Sequence, residues 1–594
     1  MKHATDRLRI TVFATLLAVA PIASAGLNHS HNDDESENSA QVRDEARTSV
    51  RWRDWRANKP HTWVQFQILA INDFHGQING RVSANRPIGG AAVLASYLKA
   101  AQEEMEDGKT FIVHAGDHVG ASPPASALLQ DEPSISFLNL LANKHCSYRH
   151  PLHPGCNVVG TLGNHEFDDG VAEMLRLVNG GNHANGPFLE EHYRGARFPY
   201  VCANVVDANS GKPVLPPYVI KHVRGIPVAF IGAVLKETPA IVTPTGVAGV
   251  NFLDEAYAIN SYIPKLKAKG VRAIIVLIHQ GVGVTPFAGQ TPTAPMELPG
   301  QIGDIVKRLD KEVDIVVSGH AHGFTNTLVP NQDGKLILVT QAFSASTAYA
   351  DINVAIDPVT RDIVEKSAAV YSTWADEGPG LSPDPDVAAL VAAAEQRVAP
   401  LVNRVVGTAA IPITRTLSTA GEAALGNLVA DGMRRTMNTQ FAFMQPGGIR
   451  TDLNAGEITW GELFAIQPFS NDLVRMDLTG AQIVTLLNQQ WVNQPFPRPL
   501  QISGLTYMWD NARPVGDRIV EVRDASNGHA LDPAVSYSVT VNSFTAAGGD
   551  GFTVLKQGTN REVGPVDVDA LVAYITSLPQ PVSASIEGRV QRIN

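Results

Sequence analysis

The sequence predicts an α/β protein built from two large domains. Its 594 residues are too many for a single hydrophobic core, so at least two domains are expected. From Trp63 onward, short apolar runs alternate with helical segments, which is the pattern of a layered α/β domain. Five of these runs are followed closely by Asp, Asn or His, so we expect polar side chains to collect where the strands end.

Composition and charge are those of an ordinary globular protein. Hydrophobic residues make up 44% of the chain and charged residues 18%, so there is enough apolar material for large cores. The formal net charge of −11 disfavours nucleic acid polymers and anionic membranes as partners. Beyond the N-terminus, no apolar run approaches the ~20 residues of a membrane span. We expect no membrane span and no obligate protein partner.

The first 62 residues are predicted to lie outside the fold. Residues 1–25 combine a positive start, an apolar stretch and the small residues Ala23-Ser24-Ala25, which together predict a signal peptide. Residues 26–62 are polar and predict a disordered leader. The expected product is therefore exported, either to the periplasm or to the medium or cell surface.

The three cysteines fit an exported protein that relies on its core for stability. Cys146 and Cys156 bracket a short polar loop, and we predict a disulfide between them. Cys202 lies in an apolar context and is predicted to be a buried thiol. The alternative is that all three are free.

Five apolar runs of the N-terminal part are followed by segments rich in metal-binding side chains. They are residues 64–71 before Asn72–Gly76, 110–113 before His114–Asp117, 157–162 before Gly163–Asp168, 272–278 before His279–Gly281, and 313–317 before Ser318–Gly323. Turn preferences for Asp and Asn explain one such end but not five. Parallel strands place their carboxyl ends along one edge, where ligands bind, so we expect a metal centre there.

Seven of these side chains are candidate metal ligands: Asp73, His75, Asp117, Asn164, His279, His320 and His322. Their oxygen and nitrogen donors suit Zn, Mn or Co better than Ca. Seven ligands are too many for one ion, whereas two divalent ions bridged by Asp117 would use them all and support phosphoester hydrolysis. His165 could then donate a proton to a phosphoryl oxygen, with Asp168 orienting its ring. The alternatives are a purely structural metal and a His165–Asp168 pair that only begins a helix.

The rest of the chain divides into a linker and a second domain. Residues 377–385 form a Pro- and Gly-rich linker, and residues 386–405 an Ala-rich amphipathic helix that is a plausible hinge. Beyond it, a helix is predicted at 422–437, strands at 441–444 and 536–541, and glycine-rich turns at 447–450 and 547–551. We place the domains at 63–375 and 406–594, with the linker and hinge helix at 376–405.

The motifs N-D-x-H-G, G-D-H, G-N-H-E-F-D, H-x-G and G-H-x-H, in this order from Asn72 to His322, resemble those of the calcineurin-like metallophosphoesterases. From about residue 63 to 594 the chain resembles the exported two-domain 5′-nucleotidases, including the bacterial UDP-sugar hydrolase/5′-nucleotidase. The resemblance implies a four-layer α/β/β/α metallophosphoesterase domain, a helical linker and a C-terminal α+β nucleotide-binding domain. It implies one ion at Asp73, His75, Asp117 and His322, a second at Asp117, Asn164, His279 and His320, and His165–Asp168 as the catalytic pair.

The resemblance also implies a substrate site in the C-terminal domain. Arg450 of Gly-Gly-Ile-Arg would contact the phosphate, Phe469 and Phe544 would sandwich the base, and Asp550 would accept the ribose hydroxyls. Without the resemblance, both phenylalanines would more often be core residues. The chain departs from the family at Gln445-Pro446, where members often carry Asn and Gly, and at 418–421, where an Arg is missing and Arg415 is the nearest substitute.

The expected activity is hydrolysis of extracellular nucleotides to nucleoside and phosphate by a metal-activated water. The alternatives on the same scaffold are a 2′,3′-cyclic-nucleotide 2′-phosphodiesterase/3′-nucleotidase and a UDP-sugar or dinucleotide pyrophosphatase. Relatives of the first type tend to have Asn in place of Asp168, so this chain favours the 5′ activity. A nucleotide-binding surface protein without turnover would be expected to have lost a ligand, and the motifs retain all of them.

Overall fold

The computed structural model describes residues 60, 62–105, 110–494 and 496–594. The predicted signal peptide and nearly all of the predicted leader lie outside the described residues. Within the described part of the chain, none of the helices has both the length and the apolar character that crossing a membrane requires.

The N-terminal domain contains two large sheets and the helices that cover them. Its strands are β1 (Val64–Ile71), β2 (Arg81–Ser83), β3 (Arg86–Ile88), β4 (Thr110–His114), β5 (Val158–Gly160), β6 (Val205–Asp207), β7 (Tyr218–Val223), β8 (Ile226–Val234), β9 (Val250–Phe252), β10 (Ala273–His279), β11 (Ile315–Ser318), β12 (Phe324–Pro330), β13 (Leu336–Ala342), β14 (Ala348–Ile356) and β15 (Ile363–Ser372). Its helices are α1 (Ala91–Glu103), α2 (Pro124–Ala127), α3 (Glu132–Leu141), α4 (Val171–Asn179), α5 (Thr238–Ile241), α6 (Glu255–Ala268) and α7 (Gly300–Arg308).

The two sheets stack face to face with helices outside them. One sheet has the order β15-β14-β1-β4-β5 and the other β12-β13-β11-β10-β8-β7. In β1, Phe66 and Ile68 pack in the core between the sheets together with Phe230 of β8. The alternate residue Leu69 packs instead with Leu94 of α1 on the outer face. The second sheet is covered in the same way by α6 and α7. The predicted four-layer α/β/β/α arrangement is therefore confirmed.

The five strand ends singled out in the sequence come from both sheets. Strands β1, β4 and β5 run parallel in the first sheet, and β10 and β11 run parallel in the second. The candidate ligands therefore meet between two sheets, whereas the sequence suggested one common edge. β1 has the predicted bounds, but the strand predicted at 157–162 covers only Val158–Gly160, because its partner β4 ends at His114.

The C-terminal domain follows a long connecting helix. That helix is α8 (Pro385–Val402), and the domain's other helices are α9 (Ala424–Met437), α10 (Trp460–Ile466), α11 (Gly480–Asn488), α12 (Ser543–Ala546) and α13 (Asp567–Ser577). Its strands are β16 (Val405–Ala409), β17 (Phe441–Met444), β18 (Gly456–Thr459), β19 (Asp472–Thr479), β20 (Gln501–Ser503), β21 (Leu505–Trp509), β22 (Ile519–Asp524), β23 (Ser536–Asn542), β24 (Thr559–Val566) and β25 (Val590–Arg592). The main sheet has the order β20-β17-β23-β19-β24.

The connecting helix α8 is shorter than the sequence predicted. It begins at Pro385 after Asp384, whose side chain accepts the backbone N–H of Val387, a strong helix start. It ends at Val402 rather than at 405, because Val405 already belongs to strand β16, which pairs with β18. The two-domain fold is confirmed, while the boundaries drawn from the sequence stay predictions.

The cysteines are arranged as the sequence predicts. The predicted disulfide between Cys146 and Cys156 is present, and Cys202 is a buried free thiol.

The two domains touch near the strand ends: α10 packs against α2, and the turn Gly549–Gly551 packs against α5. The C-terminal domain therefore lies directly beside the candidate metal centre.

Candidate active site

Six of the seven ligand candidates form two adjoining groups. The groups are Asp73 with His75 and His322, and Asp117 with His279 and His320, and within each group the donor atoms lie within 4.8 Å of one another. His75 Nε2 is 3.0 Å from His322 Nε2, and His279 Nε2 is 2.9 Å from Asp117 Oδ2. Between the groups, His75 Nε2 lies 3.7 Å from Asp117 Oδ2. Asp117 thus borders both groups, as a bridging ligand must.

Five of these six ligand candidates have a backbone in the left-handed region. The φ angles are 50° at Asp73, 50° at His75, 48° at Asp117, 74° at His320 and 54° at His322. This conformation costs a non-glycine residue about 1–3 kcal/mol, so it persists only where the surroundings enforce it. The chain reverses sharply as it leaves each strand and turns these side chains toward one point.

Hydrogen bonds orient the candidate ligands. His75 Nδ1 donates to Gly120 O at 2.9 Å and His279 Nδ1 donates to Ala115 O at 2.8 Å, so the Nε2 atoms face the other ligands. Asn72 Nδ2 donates to Asp73 Oδ2 at 2.7 Å. The rings and the carboxylate are therefore held in ligating orientation by the protein itself.

Asn164 provides the test of whether metal ions fit this cluster. Its side chain is 3% exposed, and its Oδ1 has no hydrogen-bond partner. Its neighbours border Asp117: the His165 N–H donates to Asp117 Oδ1 at 2.9 Å, and a Cβ on Gly163 would lie 2.1 Å from that oxygen. An unsatisfied buried oxygen costs about 1–3 kcal/mol unless a ligand meets it. A buried amide oxygen without a partner, on a residue whose neighbours contact Asp117, fits a divalent cation.

The charges of Asp117 and His279 are strongly linked. Burial opposes ionisation of Asp117, but His279, His165 and His75 outweigh it and hold the pKa of Asp117 well below its usual value. Burial also opposes protonation of His279, but Asp117 raises the pKa of His279 to about 9. A divalent ion bound there would take the place of that proton.

His165 and Asp168 form the predicted pair. His165 Nδ1 donates to Asp168 Oδ2 at 2.7 Å. Burial lowers the pKa of His165, but Asp168 and Asp117 outweigh it, so the pKa lies above its usual value and favours a charged ring. His165 also lies within 4.8 Å of donor atoms of His75 and Asp117, so the geometry allows it either as a proton donor or as a ligand.

The C-terminal domain brings Arg450 and Phe469 to this histidine. The Phe469 ring stacks on the His165 ring, with centres 5.8 Å apart and planes 19° apart. The Arg450 guanidinium carbon lies 5.8 Å from the centre of the Phe469 ring. The Arg450 backbone N–H is anchored on Ile466 O at 2.8 Å. The predicted substrate side chains therefore lie at the candidate metal centre.

Phe544 lies on the short helix α12, and Asp550 lies on the turn Gly549–Gly551 that follows it. Phe544 packs so closely on Gly549 that a Cβ there would lie 2.5 Å from ring atoms. Asp550 has a φ of 54° and is 8% exposed, and its Oδ2 faces Gly447 of the Arg450 turn. Phe544 is thus a neighbour of the glycine turn, and Asp550 is a neighbour of the Arg450 turn.

Two chain segments match known protein families. Residues 66–324 match the calcineurin-like phosphoesterases, and residues 405–557 match the 5′-nucleotidase C-terminal domain. The chain is 33% identical over 571 residues to cell wall protein Lmo0130 of Listeria monocytogenes, covering 89% of this chain and 69% of that protein. The chain belongs to the 5′-nucleotidase family of phosphoric ester hydrolases.

Other members of the family extend the comparison. Endonuclease YhcR of Bacillus subtilis is 37% identical over 546 residues, covering 90% of this chain, but the chain spans only 42% of that protein's length. Among solved structures, a 5′-nucleotidase precursor from Thermus thermophilus is 29% identical with a TM-score of 0.72, covering 89% of this chain and 99% of its own.

The sequence did not single out Glu166, although it lies inside the family's G-N-H-E-F-D motif. Its carboxylate accepts the backbone N–H groups of Asp117 at 2.9 Å and His118 at 2.8 Å, and that of Gly163 as well. Burial and the charge of Asp117 raise the pKa of Glu166 to about 7. Through these hydrogen bonds, Glu166 connects the two loops that carry Asp117 and Asn164. Its position next to His165 in the motif is the sequence feature that could have indicated this role.

The residues at the two departures from the family pattern, Arg415 and Gln445, make hydrogen bonds to neighbouring residues. Arg415 lies beside the Arg450 turn, because its N–H donates to Asp452 Oδ1 at 2.7 Å and its Nη1 to Ile449 O at 3.4 Å. Gln445 is buried and accepts a hydrogen bond from Asn542 Nδ2 at 3.1 Å. Arg498, which no motif indicated, forms an ion pair with Asp550.

Proposed function

We propose that this chain is an exported, metal-dependent 5′-nucleotidase that hydrolyses the phosphate ester of extracellular nucleotides to nucleoside and phosphate. The observation that carries the proposal is the stack of Phe469 on His165, 5.8 Å between ring centres. It joins the substrate candidates of one domain to the ligand cluster of the other. A substrate bound at Phe469 and Arg450 would have its phosphate beside the candidate ligands.

Two divalent ions fit the cluster, one held by Asp73, His75, Asp117 and His322 and the other by Asp117, Asn164, His279 and His320. When bound, they would activate a water and draw charge from the phosphoryl oxygens. Zn, Mn or Co suits these donors.

The chain's own residues would supply binding, orientation and a proton. Arg450 would pair with the phosphate. Phe469 and Phe544 would stack on the base, which tolerates several bases, and Asp550 would accept the ribose hydroxyls. His165, held by Asp168 and favoured in its charged form, would donate its Nε2 proton toward the phosphoryl group as charge develops in the transition state.

Export is part of the same proposal. The disulfide between Cys146 and Cys156 is typical of an oxidising compartment, and the segment 1–25 has the pattern of a signal peptide. A periplasmic, cell-surface or secreted location satisfies both observations.

The direct test is phosphate release from AMP, 3′-AMP, 2′,3′-cyclic AMP and UDP-glucose by protein that has been treated with EDTA and reloaded with Mn, Co or Zn. We expect metal-dependent release from AMP to be the fastest. Release from 3′-AMP but not from AMP would replace the 5′ assignment with the 3′ one. If none of the four substrates gives metal-dependent phosphate release, the proposed function is wrong.

A second candidate function is cleavage of nucleic acid polymers, favoured by the 37% identity to endonuclease YhcR. The net charge of −11 disfavours it, because a polymer would bring many phosphates against an acidic surface. A single-stranded oligonucleotide added to the substrate panel decides between them. Cleavage of that oligonucleotide faster than AMP would favour the nuclease.

A further inference from the structure

Arg498 is a largely buried arginine beside the proposed nucleotide site. Its Nη1 forms an ion pair with Asp550 Oδ1, and its guanidinium carbon lies 4.8 Å from the centre of the Phe496 ring. The side chain of Arg498 is 16% exposed and that of Asp550 is 7% exposed. Solvent and salt therefore screen this pair much less than a surface pair.

The segment that carries Arg498 is anchored from inside the domain. The Arg498 N–H donates to Gln490 O at 2.9 Å, and the Leu500 N–H donates to Gln490 Oε1 at 2.6 Å. Gln490 is fully buried. On the other side, Gln494 Nε2 donates to Asp550 O at 2.6 Å. Guanidinium and carboxylate are thus both held on fixed backbone, so the pair has little freedom to rearrange.

The ion pair leaves one oxygen of Asp550 for other partners. Oδ1 is engaged by Arg498, whereas Oδ2 lies on the side of Gly447, where a Cβ would come within 3.8 Å of it. Gly447 begins the turn that carries Arg450, the proposed phosphate ligand. Burial raises the pKa of Asp550 above its usual value, although Arg498 and Arg450 oppose that effect. The Oδ2 atom of this buried side chain faces the turn and can accept a hydrogen bond from a sugar hydroxyl.

We propose that Arg498 is a positioning residue that fixes the Asp550 carboxylate, aims its Oδ2 at the ribose hydroxyls, and so sets a preference for ribonucleotides over 2′-deoxyribonucleotides. The inference rests on the proposed function, which places the ribose at Asp550. A purely structural ion pair would stabilise the turn without distinguishing the two sugars.

The test compares AMP, 2′-deoxy-AMP and p-nitrophenyl phosphate as substrates of the wild type, Arg498→Gln and Arg498→Lys. Arg498→Gln should raise the KM for AMP about tenfold, the scale of one charged hydrogen bond, while kcat changes little. Its preference for AMP over 2′-deoxy-AMP should fall, and its activity on p-nitrophenyl phosphate should stay within about twofold. Arg498→Lys keeps the charge and should recover part of the preference.

A control is Arg523→Gln, which removes another arginine–carboxylate pair of the same domain, between the exposed Arg523 and Glu521 of β22. It should leave all three substrates unaffected. Equal losses on all three substrates in Arg498→Gln, or an unchanged or lower KM for AMP, would overturn the inference.

Calorimetric binding of adenosine and 2′-deoxyadenosine separates this inference from the proposed function. If the wild type binds adenosine without hydrolysing AMP, the proposed function fails, while a nucleoside preference lost in Arg498→Gln still supports the role of Arg498. If the wild type hydrolyses AMP and Arg498→Gln keeps the wild-type preference, the inference alone fails. If the protein neither binds adenosine nor hydrolyses AMP, both fail.

Discussion

The two domains hold their candidate site residues in different ways. In the N-terminal domain the seven ligand candidates follow strand ends, five of them are buried, and five have left-handed backbone. In the C-terminal domain Arg450 and Phe469 lie on turns and Phe544 lies on the short helix α12, and all three are only partly buried. Asp550 is the exception, because it is buried. The ligands are therefore held on short loops at the strand ends of two packed sheets, whereas the substrate residues lie on turns and short elements of the C-terminal domain.

From this difference we expect the N-terminal cluster to carry the reaction and the C-terminal residues to bind the substrate. Reaction chemistry requires ligands and a proton donor placed to within a fraction of an ångström, which loops anchored on packed strands and held in an enforced backbone conformation provide. Base stacking is sequence-tolerant and can accommodate small shifts, which turns permit. Substitutions in the N-terminal cluster should therefore act on kcat and metal content, and substitutions on the C-terminal turns should act on KM.

Asp117→Asn should have the largest effect, because Asp117 borders both ligand groups. We expect it to lose bound metal and to reduce turnover to the level of EDTA-treated protein, a greater loss than the about 10–100-fold of a supporting residue. Metal content by mass spectrometry and kcat are the measurements. Asp333→Asn, at an exposed turn, is the control. Retention of two ions with normal turnover would end the assignment of Asp117 as the bridge.

His165→Asn should come next. Loss of a proton donor should lower kcat by about 10²–10⁴-fold while metal content stays unchanged. His150→Asn, on the exposed disulfide loop, is the control and should retain full activity. Loss of metal from His165→Asn would instead make His165 a ligand, a role that its position near His75 and Asp117 also allows.

Glu166→Gln should weaken metal binding without a direct effect on the nucleotide. Its carboxylate accepts several backbone N–H groups, and an amide presents only one accepting oxygen, so the two ligand loops should loosen. We expect metal affinity to fall by about 10–100-fold, measured by chelator competition. Glu191→Gln, at an exposed position, is the control. Unchanged affinity would show that the loops hold without Glu166.

Phe544→Ala should change KM and leave metal content and kcat unaffected. Loss of one stacked base costs about 1–3 kcal/mol, so the KM for AMP should rise by about 5- to 150-fold. The KM for p-nitrophenyl phosphate should change less, because that substrate has no base. Equal changes in KM for AMP and for p-nitrophenyl phosphate would indicate that Phe544 is a core residue. That result would contradict the expected difference between the two domains.

The sequence predicts the N-terminal cluster better than the C-terminal site, for physical reasons. A buried strand such as β10 is a continuous apolar run up to its last residue, so the strand and the residues after it can be read from the sequence alone. That the strand ends come from two sheets depends on how the layers stack, which no local pattern carries. The Arg498–Asp550 pair joins distant turns, and Glu166 acts on backbone groups, so neither leaves a periodic signal.

Anomalous diffraction from crystals loaded with Mn and a non-hydrolysable AMP analogue would test most directly whether both domains form one site. We predict two Mn peaks, both adjoining Asp117, with the base between Phe469 and Phe544 and the phosphate at Arg450. A single peak distant from Asp117, or a base bound away from both phenylalanines, would contradict it.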